Sequence, residues 1–256
     1  MVRGVYNFIS VLLNYILTII TTIIVALASF VYIVLFCWLI FLPNYKRIPA
    51  SYWTFIRPWV FIVNRVSLLM RLRVIGKQNF DRKKPALVIC NHQSWVDIPV
   101  LVGISGAPGV SKKEVTLIPF IGILTVYGGA VFFDRKNPSS RTQIIKQVIG
   151  ILKRGYPICL FPEGTRSVDG DLLEPNTALI KMCYKNNISV VPAAIEGTRA
   201  ILPPKRLYLR YFRKVVLEFN EPVKPSDFAS ADEFASFCWK RVEETHNKIL
   251  LEHFSK

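Results

Sequence analysis

Residues 5–42 are almost wholly apolar: the polar members, Asn7, Ser10, Asn14, Thr18, Thr21, Thr22 and Ser29, are uncharged, and no Pro or Gly falls between Gly4 and Pro43. A membrane-spanning helix needs about 20 such residues. The run exceeds one span and is barely long enough for two. It predicts either one tilted helix with an interfacial extension or a tight helical hairpin turning near Ser29. A cleaved leader is the competing expectation, with Arg3 as its basic start and Ala26-Leu27-Ala28 as its cleavage site. The apolar residues 30–42 that follow, and the length of the run, favour a retained segment.

Residues 52–74 mix Trp53, Phe55, Trp59, Phe61 and Leu68 with arginines. This predicts an amphipathic helix broken by Pro58, lying in a membrane interface or packed on the core as an ordinary surface helix. From residue 74 short apolar runs alternate with helical periodicity. Strands are predicted at 86–90, 129–133, 157–161, 188–195 and, at an edge, 207–219; helices at 98–104, 140–153, 178–185 and 231–254. The fold class is α/β, a mixed sheet covered by helices, with an N-terminal membrane-embedded helical segment. The chain shows no internal repeat, linker or low-complexity stretch. It divides into membrane-spanning or membrane-interfacial helices, 1–73, and one globular domain, 74–256.

Hydrophobic residues make up 52% of the chain, above the roughly 45–50% of soluble domains. The excess is concentrated at the front, where no charged residue occurs between Arg3 and Lys46. Of the net charge of +16, the first 45 residues carry +1 and the remainder +15. So basic a domain implies an anionic partner, and one tethered to a bilayer faces anionic lipid permanently. No helix-turn-helix, zinc-finger or aromatic RNA-binding pattern is present, which argues against nucleic acid. Lys46, Arg47, Arg57, Arg65, Arg71 and Arg73 crowd the downstream side of the apolar run, which places the main domain in the cytoplasm. The compact chain without appended domains suggests a bacterial inner membrane. The five cysteines, Cys37, Cys90, Cys159, Cys183 and Cys238, are odd in number and form no CxxC pair. That argues against a disulfide framework or a zinc site, and for a reducing compartment.

Two polar motifs directly follow predicted strands: Asn91-His92-Gln93-Ser94-Trp95-Val96-Asp97 after Cys90, and Pro162-Glu163-Gly164-Thr165-Arg166-Ser167 after Phe161. In α/β sheets the loops at the carboxyl ends of strands build the site. An imidazole can take a proton from an alcohol, and a carboxylate fixes its tautomer. Asp97, five residues beyond His92, is out of reach on one regular helix but within reach if the loop turns and Asp97 opens the next helix. Read alone, such a pair is more often a capped or core histidine. On the catalytic reading no enzyme nucleophile is needed, because His92 activates an acceptor hydroxyl that attacks a thioester directly. A serine-hydrolase role for Ser94 lacks the G-x-S-x-G elbow.

In the second motif Gly164 permits close backbone approach, and Arg166 offers a planar fork suited to phosphate. Thr165 and Ser167 add hydroxyls, and Glu163 accepts from a glycerol hydroxyl or braces Arg166. The plainer reading is a polar turn with a surface Glu–Arg pair. No G-K-[ST] follows, so this is not a Walker A loop. Lys112, Lys113 and Arg135 are further candidate phosphate contacts, although Lys-Lys-Glu by itself reads as a solvated face.

Together these residues resemble the 1-acylglycerol-3-phosphate acyltransferase family, the PlsC-like glycerolipid acyltransferases. Asn91-His92-x4-Asp97 matches the family's N-H-x4-D motif. Ser111-Lys112-Lys113-Glu114-Val115 with Pro119 and Gly122 matches K-x-E-L…P…G, Val115 standing for the usual Leu. Phe161 through Ser167 matches F-P-E-G-T-R-S in full, and Val191-Pro192 the short V-P motif. The resemblance covers about residues 70–220 and makes 74–256 an acyltransferase domain. It implies acyl transfer from acyl-ACP or acyl-CoA to the sn-2 hydroxyl of lysophosphatidic acid, giving phosphatidic acid for phospholipid synthesis. It implies His92 as general base, Asp97 as its orienting partner, and Lys112, Glu163, Gly164, Thr165 and Arg166 around the glycerol phosphate. No metal or prosthetic group is implied. One segment departs: where the family shows P-F-K-x-G-A, this chain reads Glu174-Pro175-Asn176-Thr177-Ala178-Leu179. The alternatives are the same chemistry on another lysolipid or glycerol-phosphate acceptor, and a non-catalytic membrane-surface scaffold, against which the intact His92 and Asp97 speak.

Overall fold

The computed structural model describes residues 2–134 and 136–255. The apolar run forms one continuous helix, α1 (Val2–Leu35). Its residues 8–35 have a mean hydropathy of 2.5, and of them only Thr21 and Ser29 are buried. The hairpin expected near Ser29 does not occur: Ser29 lies inside α1, buried, and accepts a hydrogen bond from Trp59 Nε1 at 3.0 Å. The chain reverses later, through a 3₁₀ turn at Cys37–Phe41. It then runs through α2 (Asn44–Ser51), a π-helical turn (Tyr52–Ile56), α3 (Arg57–Phe61) and a second π-helical turn (Ile62–Ser67). Pro58 does not break this helix. The π turn before it places Pro58 in the first turn of α3, where a missing N–H leaves no bond unmade. Ile48, Tyr52, Ile56, Val60 and Val63 recur at helical spacing and are all buried, so this helix packs on the domain by its apolar stripe.

A five-stranded sheet follows the order β1 (Arg71–Ile75), β7 (Lys214–Phe219), β6 (Val190–Glu196), β2 (Leu87–Cys90) and β5 (Ile158–Leu160). It is mixed, as expected. The neighbours β1/β7, β6/β2 and β2/β5 run parallel, and only β6/β7 is antiparallel. A separate parallel pair joins β3 (Val110–Lys112) to β4 (Val131–Phe133). The covering helices are α4 (Asp97–Ser105), α5 (Ile121–Tyr127), α6 (Pro138–Lys153), α7 (Ala178–Lys185), α8 (Thr198–Ile201) and α9 (Ala231–Ile249). Alternate strand residues feed two cores. Leu87, Ile89, Val190 and Val216 pack with Val148, Ile180 and Phe234 of α6, α7 and α9. Val88, Cys90, Val191 and Leu217 pack with Val100 and Leu101 of α4.

Two expectations are corrected. The strand predicted over 207–219 begins only at Lys214 and lies inside the sheet between β1 and β6. Residues 207–213 are instead a loop fastened to α1: Leu209 N donates to Thr18 Oγ1 at 2.9 Å and Tyr211 Oη to Thr21 Oγ1 at 3.0 Å. The edge on that side belongs to β1, which overlaps the stretch read as amphipathic helix. Arg71-Leu72-Arg73-Val74 alternates with a period of two, its arginines exposed and its apolar residues packed inward.

Gly103 of α4 meets α3 at close range: a Cβ at that position would lie 2.0 Å from Val60 Cγ1. Gly103→Ala is expected to lower unfolding stability by about 1–3 kcal/mol through overpacking. Chemical denaturation in detergent measures this, and adding Val60→Ala should recover much of the loss.

Candidate active site

The parallel strands β5, β2 and β6 end side by side, with Leu87 in register with both Ile158 and Val190. The loop leaving β2 then tracks the extension of β6. The Asn91 side chain accepts from Ile195 N at 2.8 Å and donates to Ile195 O at 3.0 Å, completing a ladder with its amide. Beyond it the loop turns back on itself, and Asp97 becomes the first residue of α4. A carboxylate is favoured there by the helix dipole.

The turn brings His92 and Asp97 together. His92 Nδ1 lies 2.8 Å from Asp97 Oδ2. The same oxygen accepts from Gln93 N at 2.6 Å and Ser94 N at 2.7 Å, and Oδ1 accepts from Thr198 Oγ1. With Nδ1 engaged by a fully buried carboxylate, Nε2 is the ring nitrogen left for chemistry. The imidazole stacks on Phe161, ring centroids 4.2 Å apart, and lines a large cavity. Ser94 is no nucleophile: its hydroxyl is buried and donates to Leu202 O at 2.7 Å.

The loop after β5 is clamped to the same histidine through its backbone. His92 N donates to Glu163 Oε1 at 2.7 Å, and Ser167 N donates to His92 O at 2.9 Å. Glu163 Oε2 accepts from Leu173 N at 3.1 Å, so both carboxyl oxygens bind backbone and none bridges to Arg166. Burial pushes the Glu163 carboxyl up to about 7, against the pull of those two N–H donors. Gly164 adopts φ +64, left-handed backbone that favours glycine. Thr165 is exposed at the cavity rim. Arg166 also lines the cavity, its guanidinium 4.8 Å from the Trp95 ring centroid. Ser167 turns away from the site to bond Asp169 and Gly170.

The cavity encloses about 1330 Å³. Its polar lining includes His92, Lys112, Glu163 and Arg166, while its apolar walls come from α1, α3, α4 and α5. Thr21, Thr22, Val25, Ala26 and Ser29 make the helix α1 part of that wall. Lys112, the last residue of β3, faces the cavity; Lys113 points away into solvent. Arg135 lies outside the described residues. Glu174 and Asn176, from the segment that departs from the family pattern, also line the cavity. At its rim Phe120 adopts φ +61, ψ −52, with Ile121 N bonded to Pro119 O at 2.7 Å. This is a γ-turn of the rare, strained hand.

Sequence reasoning missed a supporting network at the end of β6. Glu196 Oε2 accepts from Gln93 Nε2 at 2.6 Å and pairs with His246 Nε2 of α9 at 2.9 Å. Burial alone would raise the Glu196 carboxyl, but the bonds from His246, Gln93 and Gly197 together hold it below its ordinary value. Thr198, Asp97's fourth donor, sits two residues on. The same rule that singled out the loops after β2 and β5 applies to these residues, since they follow β6's carboxyl end. All five cysteines are free and four are buried. Burial drives the Cys90, Cys159, Cys183 and Cys238 thiols upward, which leaves them inert. Among the described residues no His, Cys, Asp and Glu cluster forms a metal site.

Residues 71–196 match the acyltransferase family. A coconut (Cocos nucifera) 1-acyl-sn-glycerol-3-phosphate acyltransferase is 32% identical over 146 residues, 56% of this chain and 47% of the relative. A chloroplast enzyme of the same name from Arabidopsis thaliana is 33% identical over 52% of this chain and 38% of the relative. The chain thus spans about half, or less, of the length of these curated relatives. A protein described as a probable 1-acyl-sn-glycerol-3-phosphate acyltransferase from Mycoplasma pneumoniae is 27% identical over 81% of this chain and 85% of its own. The crystal structure of the acyltransferase PlsC from Thermotoga maritima superposes with a TM-score of 0.75 at 26% identity, covering 93% of this chain and 97% of that one.

A carboxyl titrating at about 7 rather than 4.5 makes the folded state hold a proton that the unfolded chain has released. Stability from Glu163 is therefore full below the unfolded value and is lost as pH rises through the folded one. After discounting for partial exposure, the loss is about 2 kcal/mol. Thermal unfolding of wild type against Glu163→Gln, followed from pH 4.5 to above 7, should show a falling limb in wild type that is flattened in the variant.

Proposed function

Because the chain belongs to the PlsC-like glycerolipid acyltransferases, we propose that it transfers a fatty acyl group from a thioester to the sn-2 hydroxyl of lysophosphatidic acid, giving phosphatidic acid. The observation that carries this reading is the His92–Asp97 pair, with His92 lining a largely apolar cavity that Lys112 and Arg166 also line. His92 Nε2 takes the acceptor's hydroxyl proton as its oxygen attacks the thioester carbonyl. The ester C–O bond forms, the C–S bond breaks, and the thiolate leaves with the proton returned by the imidazolium. Asp97 holds the imidazole in one orientation and stabilises its charged form. Lys112 and Arg166 hold the acceptor's phosphate, and the apolar walls hold the acyl chain. The donor is acyl-ACP or acyl-CoA.

The membrane mode follows from where α1 is covered. The domain binds it from Thr18 to Ile33 through Leu209, Tyr211, Trp59 and Tyr127. The exposed apolar faces of α1 enter the membrane, and the domain rests on its surface, on the cytoplasmic side by the placement of its basic residues.

Glu174 and Asn176 in the cavity wall favour a second reading of the acceptor, another lysolipid or glycerol phosphate, for the same chemistry. Steady-state kinetics on an acceptor panel test both readings. His92→Ala should lower kcat on every acceptor by about 10²–10⁴-fold; near-wild-type turnover would overturn the base assignment. Arg166→Gln should raise KM for lysophosphatidic acid and leave a phosphate-free lysolipid unaffected. Equal effects on both acceptors would remove Arg166 from the phosphate site.

A further inference from the structure

The loop between α8 and β7 carries Lys205, Arg206, Arg210 and Arg213 and runs into Lys214, with no acidic residue between Ile201 and Glu218. Among these cations two large apolar side chains stand in the open, Leu207 at 84% exposure and Phe212 at 62%. Lys205 and Phe212 hold left-handed backbone, φ +70 and +57, that non-glycine residues rarely adopt. Such strain persists only where the surroundings impose it, and here the loop is pinned between its fastenings. Arg210 N bonds Ile201 O at 3.0 Å. Leu209 and Tyr211 bond Thr18 and Tyr211's partner Thr21 on α1, and the Tyr15 and Tyr208 rings meet at 4.7 Å. The basic, apolar-tipped loop is thus continuous with the exposed apolar face of α1.

We propose that this loop is a second membrane-contact element, in which Leu207 and Phe212 enter the acyl boundary while Lys205, Arg210 and Arg213 bind anionic phospholipid headgroups. The proposal rests on the reading that α1 is embedded in the membrane. An exposed apolar pair rimmed by cations suits the headgroup boundary, where both chemistries are met at once. Its attachment to the middle of α1 fixes how that helix is rotated about its axis. Thr18, Thr21 and Ser29 face the domain with Val25 and Ala26 beside them, and the exposed apolar residues of the helix face lipid.

The test uses the full chain carrying Cys37→Ser, since Cys37 is the exposed thiol and the other four are buried. An environment-sensitive dye is placed at position 207 by Leu207→Cys, or at the exposed α1 position 20 by Ile20→Cys. Its accessibility to a water-soluble quencher is measured on phosphatidylcholine vesicles and on vesicles one-third phosphatidylglycerol. The dye at 207 should be better shielded on the anionic vesicles than on the neutral ones. The added K205Q/R210Q/R213Q substitutions should reduce the anionic preference about 5-fold per charge, on the order of a hundredfold together. Shielding at 20 without shielding at 207 would overturn the loop's role and leave the α1 reading intact. Exposure at 20 on every vesicle would overturn both. Equal shielding at 207 on neutral and anionic vesicles, unmoved by the charge substitutions, would overturn the headgroup chemistry.

Discussion

Asp97 is fully buried, and its two oxygens take hydrogen bonds from the His92 ring, the backbone of Gln93 and Ser94, and the Thr198 hydroxyl. An ionised carboxylate left without donors in an apolar interior costs several kcal/mol. The loop after β2 and the turn after β6 must therefore converge on this side chain whenever the domain is folded. The parallel register of β5, β2 and β6 makes that convergence geometrically cheap, because all the strands deliver their loops at one level. His92 is then fixed by its surroundings on every side: its ring by Asp97 and Phe161, its N–H by Glu163, its carbonyl by Ser167. What looks like a catalytic residue in a loop is, mechanically, part of the sheet.

The candidate residues were more legible in the sequence than the frame that holds them. Buried strands such as Leu87–Cys90 and helices such as Ala178–Lys185 are announced by local runs and periodicity. So is the coincidence of polar motifs with strand ends. β1 was not, because five residues containing two arginines carry too little apolar signal to separate from the helix before them. Glu196, Thr198 and His246 were not, because their partners lie 50 to 103 residues away and no local pattern marks such contacts. Glu163 stood out in the sequence as a candidate, but its use as a clamp on backbone did not.

The uncharged polar residues of α1 illustrate the same limit. In the sequence Thr18, Thr21 and Ser29 are merely tolerable within an apolar run. In the fold each meets a specific donor from the domain, and their spacing selects the face of the helix that docks. A spanning segment is read from what it lacks, while a docked one is specified by the few polar groups it keeps.

The cavity is walled on one side by a helix whose other faces are apolar and exposed. For the lipids proposed as acceptor and product this bears on traffic rather than on bond-making. A product carrying one more acyl chain than its precursor would lose about 0.8 kcal/mol for each methylene it drew through water on leaving. That wall of the chamber is itself a lipid-compatible helix, held to the domain by a few hydroxyl-mediated bonds, so an acyl chain lying there meets apolar helix surface on that side in place of water.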